Sequence, residues 1–396
     1  MAYLPNLRHL YAVTAIADEG SVSRAAQRVH LSQSAVTQGL AKLEESIGEV
    51  LFVRNAAGTI PTAAGIRFLS RAKRALSWLK IMEGEISSRR SDGHQPLHRI
   101  LTTTQLRALI AIVETGGFSQ AGVKLGLTQP TIQRAARELE TVCHQSFFRR
   151  RPQGVEPTWE ARHMARYANL AFAEIHQGMQ ELNELRGSMR GTLVIGSLPL
   201  AMAYLVPHAV TLLLQEFPET KIQIVDGPYE EQLHALLNAQ LDLIVGALRK
   251  PSPSIGVVQE ALFEDPLFVV LRHEHPLSQR TSVSPMELAQ LDWIAPRQGT
   301  PARAAFTGFF QDEGITPPEH VIECSSLIAI RSLLLESDRA ALLPAQQVAL
   351  EIKAGQLALM PRPLMGTSRA IGLTVRKDWQ PTLVQERFLQ ILRVLR

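Results

Sequence analysis

The sequence predicts a multidomain α+β fold: two winged helix-turn-helix units, each with a long linker helix, followed by a two-lobed α/β domain. One observation is an internal repeat, in which residues 10–76 align with 106–172 without a gap, at an offset of about 96. A second is the alternation of apolar strands and helices after residue 190. A third is the length, because 396 residues exceed one ordinary domain. The predicted segments are a first winged unit (1–64), a linker helix (65–98), a second winged unit (99–160), a linker or dimerisation helix (161–189) and an α/β domain (190–396).

The repeat keeps the residues that a fold would need. About eighteen of its 67 positions are identical, and chance matches would not hold one register for so long. The identical pairs include Gly20 with Gly116, Leu43–Glu44 with Leu139–Glu140, Gly58 with Gly154, and Pro61–Thr62 with Pro157–Thr158.

Each copy has the pattern of three helices and a β-wing. In the first copy, Gly20 ends one helix, Ser21 can cap a second, and Ser32 can cap a third that ends at Gly48. Apolar residues recur at i, i+4 and i+7 along the third helix, as on a face that is buried. Short apolar segments on both sides of Gly58 are typical of a hairpin.

In a helix-turn-helix, the second of the paired helices enters the major groove with its N-terminal polar residues toward base edges. Gln and Arg have the bidentate geometry that reads A and G. Two other interpretations remain open, namely an ordinary solvated helix face and a protein-contact role for the motif. The predicted DNA-binding residues of these helices and caps are Ser21, Ser32, Gln33, Ser34, Thr37 and Gln38 in the first copy, and Thr128, Gln129, Thr131, Gln133 and Arg134 in the second.

The two wings differ in charge. The first carries Arg54, whereas the second carries three consecutive arginines, Arg149, Arg150 and Arg151. Arginines on a hairpin can contact phosphates and make DNA binding salt-dependent. We therefore expect the second copy to supply more of the affinity for phosphates.

Charge is also uneven along the whole chain. Residues 1–187 contain 23 Lys/Arg and 16 Asp/Glu, a net charge of +7, and the remainder has a net charge of −3. This asymmetry favours a polyanionic partner for the first half only. Ordinary scatter of surface charge is the alternative explanation.

Long helical segments follow the wings, at residues 62–90 and 158–186, each with one apolar stripe. Such a stripe needs a partner, which would be a second copy of the chain or the rest of the same domain. Residues 87–98 are polar and contain Gly and Pro, which favours a hinge.

After residue 190, three buried-type strands alternate with two helices, which predicts a parallel sheet. Ligands bind such sheets at the carboxyl ends of the strands, where loops begin at Ser197, Gly227 and Ala247. A strand at 267–273 is expected to cross to a second lobe, and 369–376 to return from it. Two lobes joined in this way would form a cleft.

Several other classes are disfavoured. No segment has the length of a membrane span, and the N-terminus lacks the features of a signal peptide, so a cytoplasmic location is expected and a transport receptor is disfavoured. No metal or catalytic motif appears, so neither a cofactor nor an enzyme is predicted. Cys324 beside Ser325 lacks an evident activating base, and Cys143 and Cys324 are either reduced thiols or one long-range disulfide.

The segments 17–21, 32–36, 43–44, 51–54 and 61–65 together resemble the N-terminal signature of LysR-type transcriptional regulators. Within that family, segments 226–229, 243–249 and 325–327 are similar to the galactose-binding-protein regulator branch. The resemblance implies homodimers or homotetramers on double-stranded promoter DNA, a type 2 periplasmic-binding-protein-like sensor domain, and a small-molecule effector between its lobes. RNA polymerase is a further candidate partner.

By position, the resemblance assigns residues 21–40 to the recognition element. The effector is expected to be a sugar or sugar acid, or alternatively a small aromatic or carboxylic acid. The doubled DNA-binding unit departs from the family pattern, and the second copy differs at Gly122 and at Cys143–His144, so a role in dimerisation or as a protein-interaction adaptor stays open. The residues that the resemblance places at the cleft are Ser197, Leu198, Pro199, Gly227, Pro228, Ala247, Leu248, Gln298, Gly299, Thr300, Ser325 and Ser326.

Overall fold

The computed structural model describes residues 4–55, 58–86, 96–152, 154–249 and 256–395. The chain forms two compact units, residues 1–190 with 238–240, and residues 191–237 with 241–396. The N-terminal unit is mainly helical with two small wings, and the C-terminal unit has two five-stranded sheets. The predicted multidomain α+β fold is therefore confirmed.

The N-terminal unit contains the same five elements twice, at one offset of 96 residues. The first copy has α1 (Leu7–Glu19), α2 (Val22–Val29), α3 (Gln33–Ile47), β1 (Phe52–Asn55) and β2 (Gly58–Pro61). It is followed by α4 (Ala63–Ile86) and the short α5 (Leu97–Ile100). The second copy has α6 (Thr103–Thr115), α7 (Phe118–Leu125), α8 (Gln129–Cys143), β3 (Phe148–Arg151) and β4 (Gly154–Pro157), followed by α9 (Trp159–Leu185).

The residues that are identical in the two copies hold each wing to its helices. The Glu44 carboxylate accepts the Leu51 amide at 2.7 Å, and Glu140 accepts the Phe147 amide at the same distance. Gly58 has φ +118°, and a Cβ at this position would lie 2.7 Å from the Gly20 carbonyl oxygen. Glycine is therefore required where the wing turns against the end of the first helix.

The apolar stripes of α4 and α9 are buried within the chain, because the two linker helices pack against each other. Phe68, Leu79 and Met82 of α4, like Ala168 and Ala171 of α9, are fully buried in a core that both copies share. The sequence left two possible partners for each stripe, a second copy of the chain or the rest of the same chain. The structure shows a partner from the same chain.

The predicted hinge lies partly outside the described residues, which resume at residue 96. From there the chain is held rather than free: Leu97 is fully buried in α5, and its amide donates to the Glu83 carboxylate at 2.7 Å. The prediction of a hinge is therefore wrong for Leu97 and His98, because an apolar side chain and a carboxylate on α4 anchor them.

In the C-terminal unit, the first sheet has the order β6-β5-β7-β14-β8 and the second has the order β11-β10-β12-β9-β13. Their strands are β5 (Thr192–Ser197), β6 (Lys221–Asp226), β7 (Leu243–Ala247), β8 (Val257–Asp265), β9 (Phe268–Arg272), β10 (Trp293–Ala295), β11 (Val321–Glu323), β12 (Ala340–Leu343), β13 (Leu357–Leu359) and β14 (Arg369–Arg376). The helices are α10 (Pro199–Met202), α11 (Leu205–Glu216), α12 (Tyr229–Leu237), α13 (Pro285–Ala289), α14 (Pro301–Asp312), α15 (Leu327–Glu336), α16 (Ala349–Lys353) and α17 (Leu383–Val394).

Strand directions place the carboxyl edges of the parallel strands of both sheets at the two crossings between the lobes. Strands β5, β6 and β7 are parallel, and β14 is antiparallel to β7 and β8, so Asp265 and Arg369 lie at the carboxyl edge of β7. In the second sheet, β9 begins at the carboxyl edge of β12, where Leu343 pairs with Phe268. The chain crosses between these edges twice, so the loops that follow both sets of parallel strands surround the crossings.

Three further features bear on the sequence expectations. The sequence pattern did not predict β8, because its burial alternates irregularly. Neither Cys143 nor Cys324 is in a disulfide, which excludes the long-range disulfide and leaves two reduced thiols. Among the described residues, no helix combines the length and the apolar character that crossing a bilayer requires.

Candidate nucleic-acid interface and effector cleft

Helix α3 has one buried and one exposed face. Val36 and Leu43 are fully buried, whereas Gln33, Ser34 and Gln38 are exposed. Ser32 caps the helix, since its hydroxyl accepts the Ala35 amide at 3.1 Å. The caps and burial therefore leave the two glutamine amides free to reach outward. Thr37 is also exposed, but its hydroxyl donates to the Gln33 carbonyl at 2.9 Å, and Ser21 is half-buried as the cap of α2.

Helix α8 has the same plan but different side chains. Gln129 and Arg134 are exposed, and Thr131 and Gln133 are half-buried. The Thr128 and Thr131 hydroxyls lie 2.9 Å apart in the first turn. Arg134 lies 3.8 Å from Glu138 in an exposed pair, which is too weak to hold the guanidinium.

Arg137 was not predicted from the sequence, and its side chain is exposed one turn after Arg134 on α8. Gln133, Arg134 and Arg137 line a groove of about 690 Å³ beside this helix. In the first copy, Ala41 occupies the position that aligns with Arg137. The only signal for Arg137 was its spacing of three residues from Arg134, which places two side chains on neighbouring turns of one face.

The second wing does not present its three arginines equally. Arg151 donates to the Glu156 carboxylate on the opposite strand at 2.7 Å, and this bond lowers the pKa of Glu156. Arg149 and Arg150 are exposed on β3, and Arg54 is exposed at the position of the first wing that aligns with Arg150. The charge that can meet a phosphate is therefore concentrated at Arg149 and Arg150. Contact of any of these residues with DNA remains a prediction.

The linker helices run antiparallel and make contacts that match across the repeat. Arg71, Trp78 and Glu85 of α4 align with Tyr167, Glu174 and Glu181 of α9 at the offset of 96 residues.

Two pairs of contacts show the correspondence. Arg71 pairs with Glu181 at 2.5 Å, and its counterpart Tyr167 donates to Glu85 at 2.8 Å. Arg71 also pairs with Glu174 at 3.0 Å, and the Tyr167 ring lies 6.0 Å from the ring of Trp78. Reciprocal contacts of this kind are the mark of an isologous interface, so a local two-fold axis relates the two copies.

Arg71 is the buried centre of the linker pair. Its side chain is 3% exposed and donates to Glu174, to Glu181, and to Gln177 at 2.9 Å. Burial acts to lower the pKa of the guanidinium, but the hydrogen bonds and charges of Glu181 and Glu174 outweigh it and raise the pKa. The tight approach of the helices is visible at Gly178, where a Cβ would lie 3.1 Å from Cβ of Arg71.

In the first lobe, the residues predicted at the effector cleft follow β5, β6 and β7. Ser197 is fully buried, and its hydroxyl is 3.4 Å from the Leu198 carbonyl oxygen, a long contact. Leu198 and Ala247 are buried, Gly227 and Leu248 are half-buried, and Pro199 and Pro228 are exposed.

Gln232 was not predicted from the sequence, and it joins two of these loops. Its amide nitrogen donates to the Ser197 carbonyl at 3.1 Å and to the Gly227 carbonyl at 3.2 Å, and the side chain is 2% exposed. Gln232 therefore sets the relative positions of the loops that follow β5 and β6. The sequence signal for Gln232 was its place, as a polar residue, on the inner face of the amphipathic helix α12.

In the second lobe, the predicted residues surround two helix starts. Thr300 caps α14, since its hydroxyl accepts the Arg303 amide at 3.2 Å, and Ser326 caps α15. Gln298, Gly299 and Ser325 are exposed beside them. The helix starts add partial positive charge, which favours acceptor oxygens of a ligand.

The two crossings carry a buried ion pair that the sequence pattern did not reveal. Arg369 is 5% exposed and donates to Asp265 at 3.1 Å, and burial lowers its pKa to about 10. Gln347 of the second lobe donates to the Pro199 carbonyl of the first lobe at 3.4 Å. These contacts join the two lobes beside the loops that are predicted to bind the effector.

Replacing Gln232 with methionine is expected to destabilise the C-terminal unit by about 1–3 kcal/mol, because buried carbonyl groups lose their donor. Hydrogen exchange of β5 and α12 in the full chain would measure this change. The exposed Glu230 on the same helix provides the control, and E230Q should change the free energy of opening by less than about 0.5 kcal/mol. Equal protection in Q232M and E230Q would contradict the positioning role.

Two family models match the chain. The model described as "LysR substrate binding domain" matches residues 186–395, which is more than half of the chain. The chain belongs to the LysR family. The model of the LysR helix-turn-helix matches this LysR protein twice, at residues 7–66 and 103–162, and so identifies both copies. The predicted family is confirmed.

Individual relatives agree with this assignment. The LysR chain is 33% identical to the HTH-type transcriptional regulator GalR of Pseudomonas putida, over 94% of this chain and 93% of GalR. It is 28% identical to the regulator GbpR of Rhizobium radiobacter, over 66% of this chain and 86% of GbpR. The GalR alignment leaves too few residues unmatched to omit either winged unit, whereas the GbpR alignment leaves about a third of this chain unmatched.

A solved structure supports the fold. A full-length OxyR variant of Pseudomonas aeruginosa superimposes with a TM-score of 0.57 at 20% identity, over 76% of this chain and 96% of OxyR. Since the family is one of named transcriptional regulators, this LysR chain is a DNA-binding regulator with an effector-binding domain, and the prediction that it is not an enzyme is confirmed.

Proposed function

We propose that this LysR regulator binds promoter DNA through both recognition helices and changes its promoter contacts when a sugar or small organic acid enters the cleft. The observation that carries the effector class is the chemistry of the cleft loops. They combine a buried serine hydroxyl at Ser197, exposed polar groups at Gln298 and Ser325, and two helix starts. Such groups recognise hydroxyl and carboxylate oxygens.

The proposed regulator works in the cytoplasm, where promoter DNA is accessible, and it contacts RNA polymerase when it activates. Chains assemble as homodimers or homotetramers. The two-lobed domain closes on the effector and alters the contacts of the N-terminal unit with DNA, which requires that the effector bind the two states with different affinities.

Footprinting of the full chain on the DNA upstream of its own gene tests this proposal. We expect protection of one region in the absence of effector, and a changed boundary with at least one compound from a panel of sugars, sugar acids and small carboxylic acids. S325A should shift the effective concentration of that compound and leave the effector-free footprint unchanged. A footprint that no compound alters would contradict the proposed effector class.

A further inference from the structure

A local two-fold axis within one chain has a consequence for DNA recognition. It places α3 and α8 at equivalent positions on opposite sides of the axis, because the elements of the two copies correspond one to one. Duplex DNA has local two-fold symmetry, and paired recognition helices use it to read two half-sites. We propose that a single chain reads both halves of one operator, α3 on one half-site and α8 on the other. This inference rests on the proposed function.

The linker pair supports this proposal because it is already complete within the chain. The apolar faces of α4 and α9 are covered by each other, and the buried Arg71 has its carboxylate partners on α9. Pairing α4 with α4, or α9 with α9, of a second chain would separate the buried Arg71 from its carboxylates on α9, which is costly. The pairing of the two winged units therefore needs no second copy.

The second supporting observation is that the two reading surfaces differ. Gln33 aligns with Gln129, but Ser34 aligns with Pro130, and Thr37 aligns with Gln133. The largest difference is Gln38, which aligns with Arg134, and both side chains are exposed. Gln favours A and Arg favours G at the base edge, so an operator read by one chain has two unlike half-sites. A symmetric pair of chains that each used α8 would instead select an inverted repeat.

The wings add to the same asymmetry. Arg149 and Arg150 of the second copy align with Val53 and Arg54 of the first. The half-site under α8 therefore receives more phosphate contacts than the half-site under α3. One chain thus has a fixed orientation on its operator, which a symmetric dimer lacks.

Selection of bound duplexes from a random pool, with the full chain, tests the proposal through two matched variants. Wild type should select two unlike half-sites. R134Q should lower the preference for G at one position of one half-site by roughly ten- to a hundredfold, and leave the other half-site unchanged. Q38R should introduce a G preference at the mirror position of the other half-site. Both side chains are exposed, and equal melting temperatures would show that the fold is kept.

Three outcomes would overturn the inference. In the first, R134Q changes both half-sites equally, which would mean that α8 helices from two chains read the site. In the second, Q38R changes no base preference. In the third, titration of the selected duplex saturates at two chains per operator. We expect it to saturate at one chain per operator, whatever the oligomeric state in solution. Wild type that binds scrambled duplex as tightly as its promoter would instead reject the proposed function itself.

Discussion

Replacing Arg149 and Arg150 together with alanine is expected to weaken promoter binding on the order of a hundredfold at about 50 mM salt. Each arginine that neutralises a phosphate contributes about 0.9 to the slope of log K against log salt, so the double variant should lose about two units of slope. The loss of affinity should shrink as salt is raised, because the missing term is counterion release. Fluorescence anisotropy with a promoter duplex over a series of salt concentrations measures both quantities.

Arg151 provides the matched control for the wing. It lies on the same strand, but its charge is already engaged by Glu156 at 2.5 Å. R151A should therefore change the slope by clearly less than one unit. R54A should remove about one unit, as expected for a single contact from the first wing. An unchanged slope in the Arg149 and Arg150 double variant would reject phosphate binding by this wing.

Replacing Arg71 with methionine is expected to lower the free energy of unfolding of the N-terminal unit by about 3–5 kcal/mol. The substitution removes the partner of the buried Glu174 carboxylate at 3.0 Å, so that Glu174 keeps only Arg74 at 2.8 Å, and Glu181 loses its partner at 2.5 Å. For a unit of this size, the melting temperature should fall by roughly 6–20 °C. Hydrogen exchange of α4 and α9 in the full chain would show whether the loss is local to the linker pair.

The control lies two residues away on the same helix, about half a turn from Arg71. Lys73 pairs with Asp18 at 2.6 Å, but its side chain is 51% exposed, so K73A should cost less than about 1 kcal/mol. Adding E181Q to the Arg71 variant should restore part of the loss, because the charge that lost its Arg71 partner is then removed, whereas Glu174 keeps its pairing with Arg74. If K73A and R71M were equally stable, the buried network would not hold the linker pair together.

Boundaries of the helices that carry the residues proposed to read DNA could be predicted closely from the sequence. Ser32 begins α3 and Gly48 ends it with φ +70°, as local capping chemistry requires. The second copy was predictable from the first by alignment, although His144 takes the left-handed position that Gly48 occupies in the first copy. Capping and glycine requirements act over a few residues, so a linear pattern contains them.

The contacts that decide the proposed site were not predictable in the same way. Gln232 is 35 residues from Ser197 and Arg369 is 104 residues from Asp265, and nothing in their neighbours indicates those partners. The division of the second wing into exposed arginines and one paired arginine also depends on the register that sets Glu156 across from Arg149, beside Arg151. These features arise from strand pairing and packing, which the local pattern does not specify.

The sequence by itself determined that the chain carries two copies of a winged helix-turn-helix unit, a basic N-terminal half and an α/β sensor. Only the tertiary structure decided what the apolar stripes of the linker helices meet. A stripe shows that a helix face is buried but does not identify the surface that buries it. In this chain the two copies bury each other, since Arg71 and its counterpart Tyr167 reach carboxylates across one local two-fold axis.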